Sequence, residues 1–341
     1  MQGNGFYNRN SWLQAANLAS ALPLLRDAAG NLKPGPVTLV DYGSSQGRNS
    51  MLPLSGAIDA IRNAGRQVHP VEVLHVDLPS NDFNSLFETL GNPVESYLTD
   101  RPEVYPAAIG KSYFEQVLPS GRVDLGWSSN ALHWMRCNPI NVADHGWAVF
   151  SNEPKAKAAV DRQLASDWRE FLIARAAELR EGGMLVCQFM GRGEHSHGFE
   201  WMANCWWQAI VEIQREGQIS DEEIGRMTCA SAGRSIEQIE QPFAAGQFHG
   251  LVLDHVAVVT APDPFWETYS RTGDALGFGR SWAATMRAAN GPSFTAGLSP
   301  ERDRDQILDL ITQRHAALVS ADPQPSISWL AIAVIRKPGP S

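Results

Sequence analysis

V-T-L-V-D-Y-G-S-S-Q-G-R-N, residues 37–49, opens with an apolar run of strand type (Val37, Leu39, Val40) that ends at Asp41. Gly43 and Gly47 then mark a turn, and a helix-like segment begins near Asn49. Strand, glycine turn and helix in that order are how a doubly wound α/β domain holds an adenosyl cofactor at the C-terminal edge of its sheet. The helix N-terminus offers unpaired N–H groups, and glycine lets the backbone approach a ligand closely. Two glycines also occur in ordinary βα turns, so the motif needs support from residues further along the chain, in register with it.

That support begins at residues 71–76, V-E-V-L-H-V, a second strand ending at Asp77. A carboxylate at this strand end can accept both ribose hydroxyls of an adenosyl cofactor, or it can cap a turn. Between the two strands, Leu54, Ile58 and Ile61 lie at helical spacing and Gly65 closes the segment. Residues 77–87 read as a turn into a short helix, residues 91–112 as a Pro-, Gly- and Tyr-rich loop, and V-D-L-G-W-S-S (123–129) as a third strand running into N-A-L-H-W-M. After a loop at 141–154, a long helix from Lys155 to Glu181 carries Val160, Leu164, Trp168, Phe171 and Leu172, with Gly182-Gly183 as its stop. M-L-V-C-Q-F-M (184–190) is a strand of buried type. The order β-α-β-α-β-α-β predicts an α/β fold, Rossmann-like and doubly wound, with a mostly parallel sheet.

Beyond residue 198 the pattern changes. Phe199 to Glu216 is an aromatic amphipathic helix, S-D-E-E (220–223) starts another with a capping-box pattern, and residues 262–315 are largely helical. L-V-L-D-H-V-A-V-V (251–259) and the stretch 326–335 read as strands. The expected organisation is an N-terminal cap segment (1–30), a cofactor domain (31–198), helical cap (199–250), a sheet strand (251–261), more cap (262–325), and a final strand with tail (326–341). In the first segment, Asn10 or Ser11 caps a helix running through Leu13, Ala16, Leu18 and Leu22.

The chain has 341 residues, 43% hydrophobic and 19% charged, which is globular composition with material for a large core. Its net charge is −9 and it has no basic run, which speaks against a nucleic-acid partner. Cys137, Cys187, Cys205 and Cys229 show no C-x-x-C spacing and read as reduced thiols. With no apolar signal core at the start and no run of about 18 apolar residues, the expectation is a soluble, cytoplasmic protein without membrane contact. The 11 tryptophans include Trp127, Trp134, Trp206 and Trp207 near polar residues, which suggests an aromatic-lined pocket as well as a core.

Several of these stretches resemble the plant salicylate/jasmonate/caffeine methyltransferases, the SABATH family. Y-N-R-N-S-W-L-Q (7–14) resembles that family's S-Y-A-x-N-S-x-x-Q, and D-Y-G-S-S-Q-G-R-N (41–49) resembles D-L-G-C-S-S-G-P-N. D-L-P-S-N-D-F-N-S-L-F (77–87) is the most specific match, to D-L-P-x-N-D-F-N-x-L-F. K-S-Y-F-E-Q-V-L-P (111–119), S-S-N-A-L-H-W (128–134) and the stretch 163–184 continue the likeness, which reaches about residue 240.

The resemblance implies transfer of a methyl group from S-adenosylmethionine, leaving S-adenosylhomocysteine, to a small carboxylic acid, by a homodimer. It implies a cofactor site of Tyr7, Ser11, Asp41, Gly43, Ser44, Asn49, Asp77, Leu78, Ser112, Tyr113, Ser128 and Ser129. Gln14 and Trp134 would hold the acceptor carboxylate with His133 beside them; Tyr7, Asn130 and Trp206 would complete the acceptor site. Some relatives carry magnesium near the cap, for which no ligands can be assigned in this sequence. The chain departs from the pattern at Phe6, where the family has Ser, at Ser44, where it has Cys, and at Asn130, where it has Tyr.

The residue types suit this chemistry. A carboxylate of pKa about 4 is already ionised at neutral pH, so no general base is required. The Gln14 amide and the Trp134 indole are neutral N–H donors that orient it without a strong ion pair, which would hold back a nucleophile whose charge is lost in the transition state. His133 can donate to substrate or serve structure. E-H-S-H-G (194–198) has no established metal spacing and reads as a solvated loop. The alternatives are N- or O-methylation of a small heterocycle or phenol, a non-catalytic S-adenosylmethionine-binding protein, and a nicotinamide-dependent oxidoreductase. The last is disfavoured because residues 43–49 lack the full G-x-G-x-x-G.

Overall fold

The computed structural model describes residues 5, 6, 8, 12–66 and 69–339. Seven strands form one sheet: β1 (Val37–Tyr42), β2 (Val71–Asp77), β3 (Val104–Gly110), β4 (Val123–Ser129), β5 (Leu179–Met190), β6 (Val252–Thr260) and β7 (Trp329–Arg336). Their spatial order is β3-β2-β1-β4-β5-β7-β6. β1 to β5 pair in parallel, whereas β7 runs antiparallel to both β5 and β6. The order reverses between β1 and β4, so the connections leaving those two strands go opposite ways and open a crevice at their C-terminal ends.

Alternation along β1 divides the core. Val37 and Leu39 pack on one face with helices α2 (Leu22–Gly30) and α3 (Arg48–Ile61), which follow α1 (Trp12–Asn17) in the chain. Val40 and Tyr42 face the other side, against Trp168, Phe171 and Leu172. After α4 (Phe83–Leu90), those three residues belong to α5 (Pro154–Glu178). The cap has its own apolar core, built from α6 (Glu200–Arg215), α7 (Pro264–Thr272), α8 (Ala275–Thr295) and α9 (Arg304–Ala321). Leu13 of α1 joins that core, which ties the N-terminal segment to the cap.

Three expectations change. The loop read at 91–112 contains β3, paired with β2 from Val71↔Val104 to Asp77↔Gly110. β3 is an edge strand, and an edge tolerates Pro106 and an exposed Tyr105 that argue against a central strand. The helix expected from Leu13 to Leu22 is broken: α1 passes into a 3-10 turn (Leu18–Ser20), and α2 starts afresh with Pro23 in its first turn. The long helix stops at Glu178, ahead of Gly182-Gly183. The Glu178 carboxylate is buried and accepts from Leu118 N–H (3.2 Å), Val117 N–H (2.5 Å) and the Tyr42 hydroxyl (2.6 Å). Leu179 is already extended, and the two glycines lie inside β5.

Candidate active site

The crevice at the switch point is a trench of about 510 Å³. Its floor is the turn after β1. Gly43 has φ +89°, and an added Cβ would stand 2.4 Å from the Ala131 Cβ, so only glycine fits there. Gly43 N–H and Ser44 N–H both donate to the Val76 carbonyl (2.8 and 3.2 Å), which fastens the turn to β2. The Asp77 carboxylate accepts from Ser45 N–H (2.7 Å) and Leu78 N–H (2.8 Å), one on each oxygen. Each oxygen retains a lone pair, which suits two ribose hydroxyls. Burial raises the Asp77 pKa, against the lowering effect of those two bonds. The Ser44 hydroxyl is buried without a partner among the described residues, as expected of a group meant for a ligand.

Of the residues expected at the cofactor, Asp41, Gly43, Ser44, Asn49, Asp77, Leu78, Ser112, Tyr113 and Ser129 line this trench. Asp41 is engaged by protein groups as well: it accepts from the Ser50 hydroxyl and lies 3.2 Å from His75 Nδ1. Tyr113 donates its hydroxyl to the Ala131 carbonyl (3.0 Å), and burial pushes its pKa far up. A fully buried ion pair positions the segment that carries Ser112 and Tyr113. Arg175 donates to the Tyr113 and Glu115 carbonyls (2.6 and 2.9 Å) and to Glu178 (2.9 Å).

Ser128 is placed differently from its expected role. It is fully buried, its hydroxyl donates to the Tyr42 carbonyl (2.8 Å), and it does not line the trench, because alternation in β4 turns it into the sheet. Tyr7 and Ser11 lie outside the described residues. Ser45, Arg48 and Asn8 line the trench without having been singled out. For Ser45 and Arg48 the signal was proximity to the glycine turn; Asn8 reaches the trench only through tertiary contacts with Gln46 and Arg48.

A second, smaller cavity of about 120 Å³ lies under the cap. Of the residues expected at the acceptor, Gln14, His133, Trp134 and Asn130 line it. Gln14 Oε1 and His133 Nδ1 are buried without partners among the described residues. Desolvation, and then the positive charge of Arg234, lower His133 to about 3, so it is neutral at physiological pH. Trp134 stands on a braced turn. Its own N–H donates to the Ala131 carbonyl (3.0 Å), Met135 N–H to Ala230 (2.8 Å), and Ala232 N–H to His133 (3.0 Å). Buried Arg234 donates to the Leu132 carbonyl and, at 3.1 Å, to the Leu164 carbonyl.

Two expectations about this cavity are corrected. Trp206 is not part of its wall; it is fully buried in the cap core, 5.2 Å from the His315 ring and 6.2 Å from Phe294. Its face of α6 is the one shared with Met202, Ala209 and Ile213, which the helical period turns inward. The aromatic wall comes instead from Trp147, Phe150, Phe199, Trp282 and Trp329. E-H-S-H-G is also not uniformly solvated. His195 is exposed, but His197 lines the cavity, and burial lowers it to about 4.

The trench and the cavity meet, sharing Asn130, Trp134 and Ala289. A trench of cofactor size at the switch point thus opens onto a small, largely apolar chamber. Residues 2–335 match the family described as SAM dependent carboxyl methyltransferases, and the chain belongs to that family. It is 28% identical over 258 residues to methyltransferase LUC1 of Fusarium sp, covering 71% of this chain and 65% of that protein. It is 26% identical over 331 residues to indole-3-acetate O-methyltransferase 1 of Arabidopsis thaliana, covering 88% and 84% respectively. The solved structure of loganic acid methyltransferase with SAH superposes with a TM-score of 0.80 over 99% of this chain and 98% of that one, at 19% identity, and shows the same fold. The SABATH resemblance read from the motifs therefore holds.

Among the described residues, no group of three or more His, Cys, Asp or Glu side chains is placed to hold a metal ion. No helix among them is long and apolar enough to cross a membrane.

Proposed function

We propose that this enzyme esterifies a small aromatic acid, with Gln14 and Trp134 holding the acceptor carboxylate at the mouth of the trench. The junction of the two cavities at Asn130, Trp134 and Ala289 carries this reading. It is where a methyl group from one side and an oxygen from the other can be brought into line. S-adenosylmethionine supplies an electrophilic methyl on a sulfonium. A carboxylate oxygen forms the new O–C bond as the S–C bond breaks, and the thioether of S-adenosylhomocysteine leaves. Both charges disappear in that step, and no proton moves.

Trp134 stands at the junction and Gln14 in the chamber. Their N–H groups orient the carboxylate and fix the direction of approach. Holding reactants in near-attack geometry is worth effective molarities of about 10⁵–10⁸ M. The Trp147, Phe150 and Trp282 side chains keep water out and give an aromatic acid a surface to pack on. Neutral His133 lies beside the carboxylate without competing as an acid.

A homodimer is part of this reading and rests on the family resemblance; light scattering on the purified chain tests it. Four free cysteines accord with a reducing, cytoplasmic setting. Magnesium has no support in the side chains of the cap. The decisive assay is transfer of labelled methyl from S-adenosylmethionine to a panel of aromatic, indolic and aliphatic acids, with xanthines and phenols included. Base-labile label on one acid class supports ester formation. Base-stable label on a xanthine or phenol overturns it in favour of N- or O-methylation, and no transfer despite cofactor binding favours a binding protein.

A further inference from the structure

The wall of the acceptor chamber has a chemical signature beyond its aromatic rings. None of the described residues lining it is Asp, Glu, Lys or Arg. Its two deeper histidines, His133 and His197, are neutral. A ligand here can carry the one charge that is consumed in the reaction; a second charge would be buried unpaired.

Most polar groups of the wall are already occupied. Ser231 accepts from the Trp147 indole (3.1 Å), Thr285 donates to the Ser281 carbonyl (3.0 Å), and Asn290 contacts Cys229 and Met286 (3.5 Å each). Trp282 differs. It is 1% exposed, it lines the chamber, and its indole N–H has no partner among the described residues. An indole N–H can only donate, so it needs an acceptor.

Helix geometry locates this donor. Ala289, on the same helix α8, sits at the junction with the cofactor trench. Trp282 precedes it by seven residues, two turns along one face and about 10 Å along the axis. Along α8, Ala289 and Ser293 line the trench and Trp282 is the chamber-lining residue furthest from Ser293, so Trp282 stands about two turns from the junction.

We propose that the acceptor is a monocarboxylic acid bearing a second, uncharged oxygen across its ring system, a hydroxyl or ether that accepts from the Trp282 N–H. This rests on the carboxyl-methylating reading and specifies its substrate class. The test measures kcat/KM for the full chain at saturating S-adenosylmethionine. The probes are matched pairs: benzoate, phenylacetate, cinnamate and indole-3-acetate, each against its ring-hydroxylated and methoxylated forms, with terephthalate as a dianion. In at least one series, the oxygenated acid should be preferred over its parent on the order of 10–100-fold, the value of one buried hydrogen bond. Trp282→Phe should lower kcat/KM for the oxygenated acid more than for its parent, so that the preference disappears, and Trp282→His, which keeps a ring N–H, should restore part of it. Terephthalate should be a poor substrate.

Methylation of the parent acids with no preference for any oxygenated partner overturns the inference and leaves carboxyl methylation standing. So does a preference that Trp282→Phe retains, or a dianion accepted as well as the monoacids. Absence of methyl transfer to every acid overturns the parent reading as well, so the two failures are distinguishable.

Discussion

The cofactor trench and the acceptor chamber share a wall at Asn130 and Trp134 but are built on opposite principles. The trench is a product of the sheet. Much of its lining comes from the ends of β1, β2 and β4 and the segments that follow β1 to β4, and backbone bonds brace it, as from Gly43 to Val76 and from Ser45 to Asp77. The chamber draws on α1, the 130–134 turn, residues 147–150, the 197–203 segment, residues 231–233 and α8, with Met190 of β5 and Trp329 and Leu330 of β7 as its only share of the sheet among the described residues. On the proposed reading, the cofactor is held by geometry that the fold imposes, whereas the acceptor is held by side chains most of which lie outside the sheet.

The sharpest way to break this contrast is at Trp206, which the structure assigns to the cap core. Trp206→Ala should cost about 3–5 kcal/mol of stability, read by denaturant unfolding, with acceptor preference among folded molecules unchanged. A variant of near-normal stability but altered preference would return Trp206 to the chamber wall. Asp77→Ala tests the trench. It removes the acceptor for two backbone N–H groups and for ribose, so the S-adenosylmethionine Kd from calorimetry should rise on the order of 100-fold. KM for the acid should stay put. Gln14→Ala tests the chamber in the opposite sense: kcat/KM for the acid should fall about 10–100-fold while cofactor Kd is unchanged. If either variant moved both constants equally, the two cavities would not be separable.

The smallest effect concerns pH. His133 and His197 are depressed from 6.5 to about 3 and about 4 by burial. An unfolded chain takes up protons on these rings below about pH 6.5 and the folded chain does not, so stability is present above that pH and lost as pH falls toward 4. Melting temperature should therefore drop across that interval. The kcat/KM for a carboxylic acid should be flat between about pH 6 and about pH 8, because the acceptor is already ionised and the histidines are already neutral. A bell-shaped profile in that range would reveal a titrating group in the reaction.

The same division governs what could be read in advance. β1, β2, β4 and β5 and the helices between them were legible, because strand periodicity and turn glycines are local signals, whereas most of the residues expected in the trench came from the family resemblance. β3 was not, because Pro106 and the alternating exposure of an edge strand look like loop. Ser128 was misplaced by one step of strand alternation, which a motif match does not resolve. In the cap, Trp206 and Trp282 are both tryptophans on amphipathic helices. One is sealed against His315 and Phe294, and the other faces the chamber; their immediate sequences do not distinguish them.

The sequence by itself determined the doubly wound sheet, the glycine turn and the strand-end carboxylate at Asp77. Each of these is written in spacing, backbone permissiveness or a contiguous motif. Only the tertiary structure decided which aromatic rings enclose the acceptor, that His197 faces it, and that the Trp282 N–H is left without a partner. The physical reason is that a cavity wall is made by residues distant along the chain, each placed by the packing of its own helix or loop, and burial among such neighbours leaves no periodic trace in the sequence.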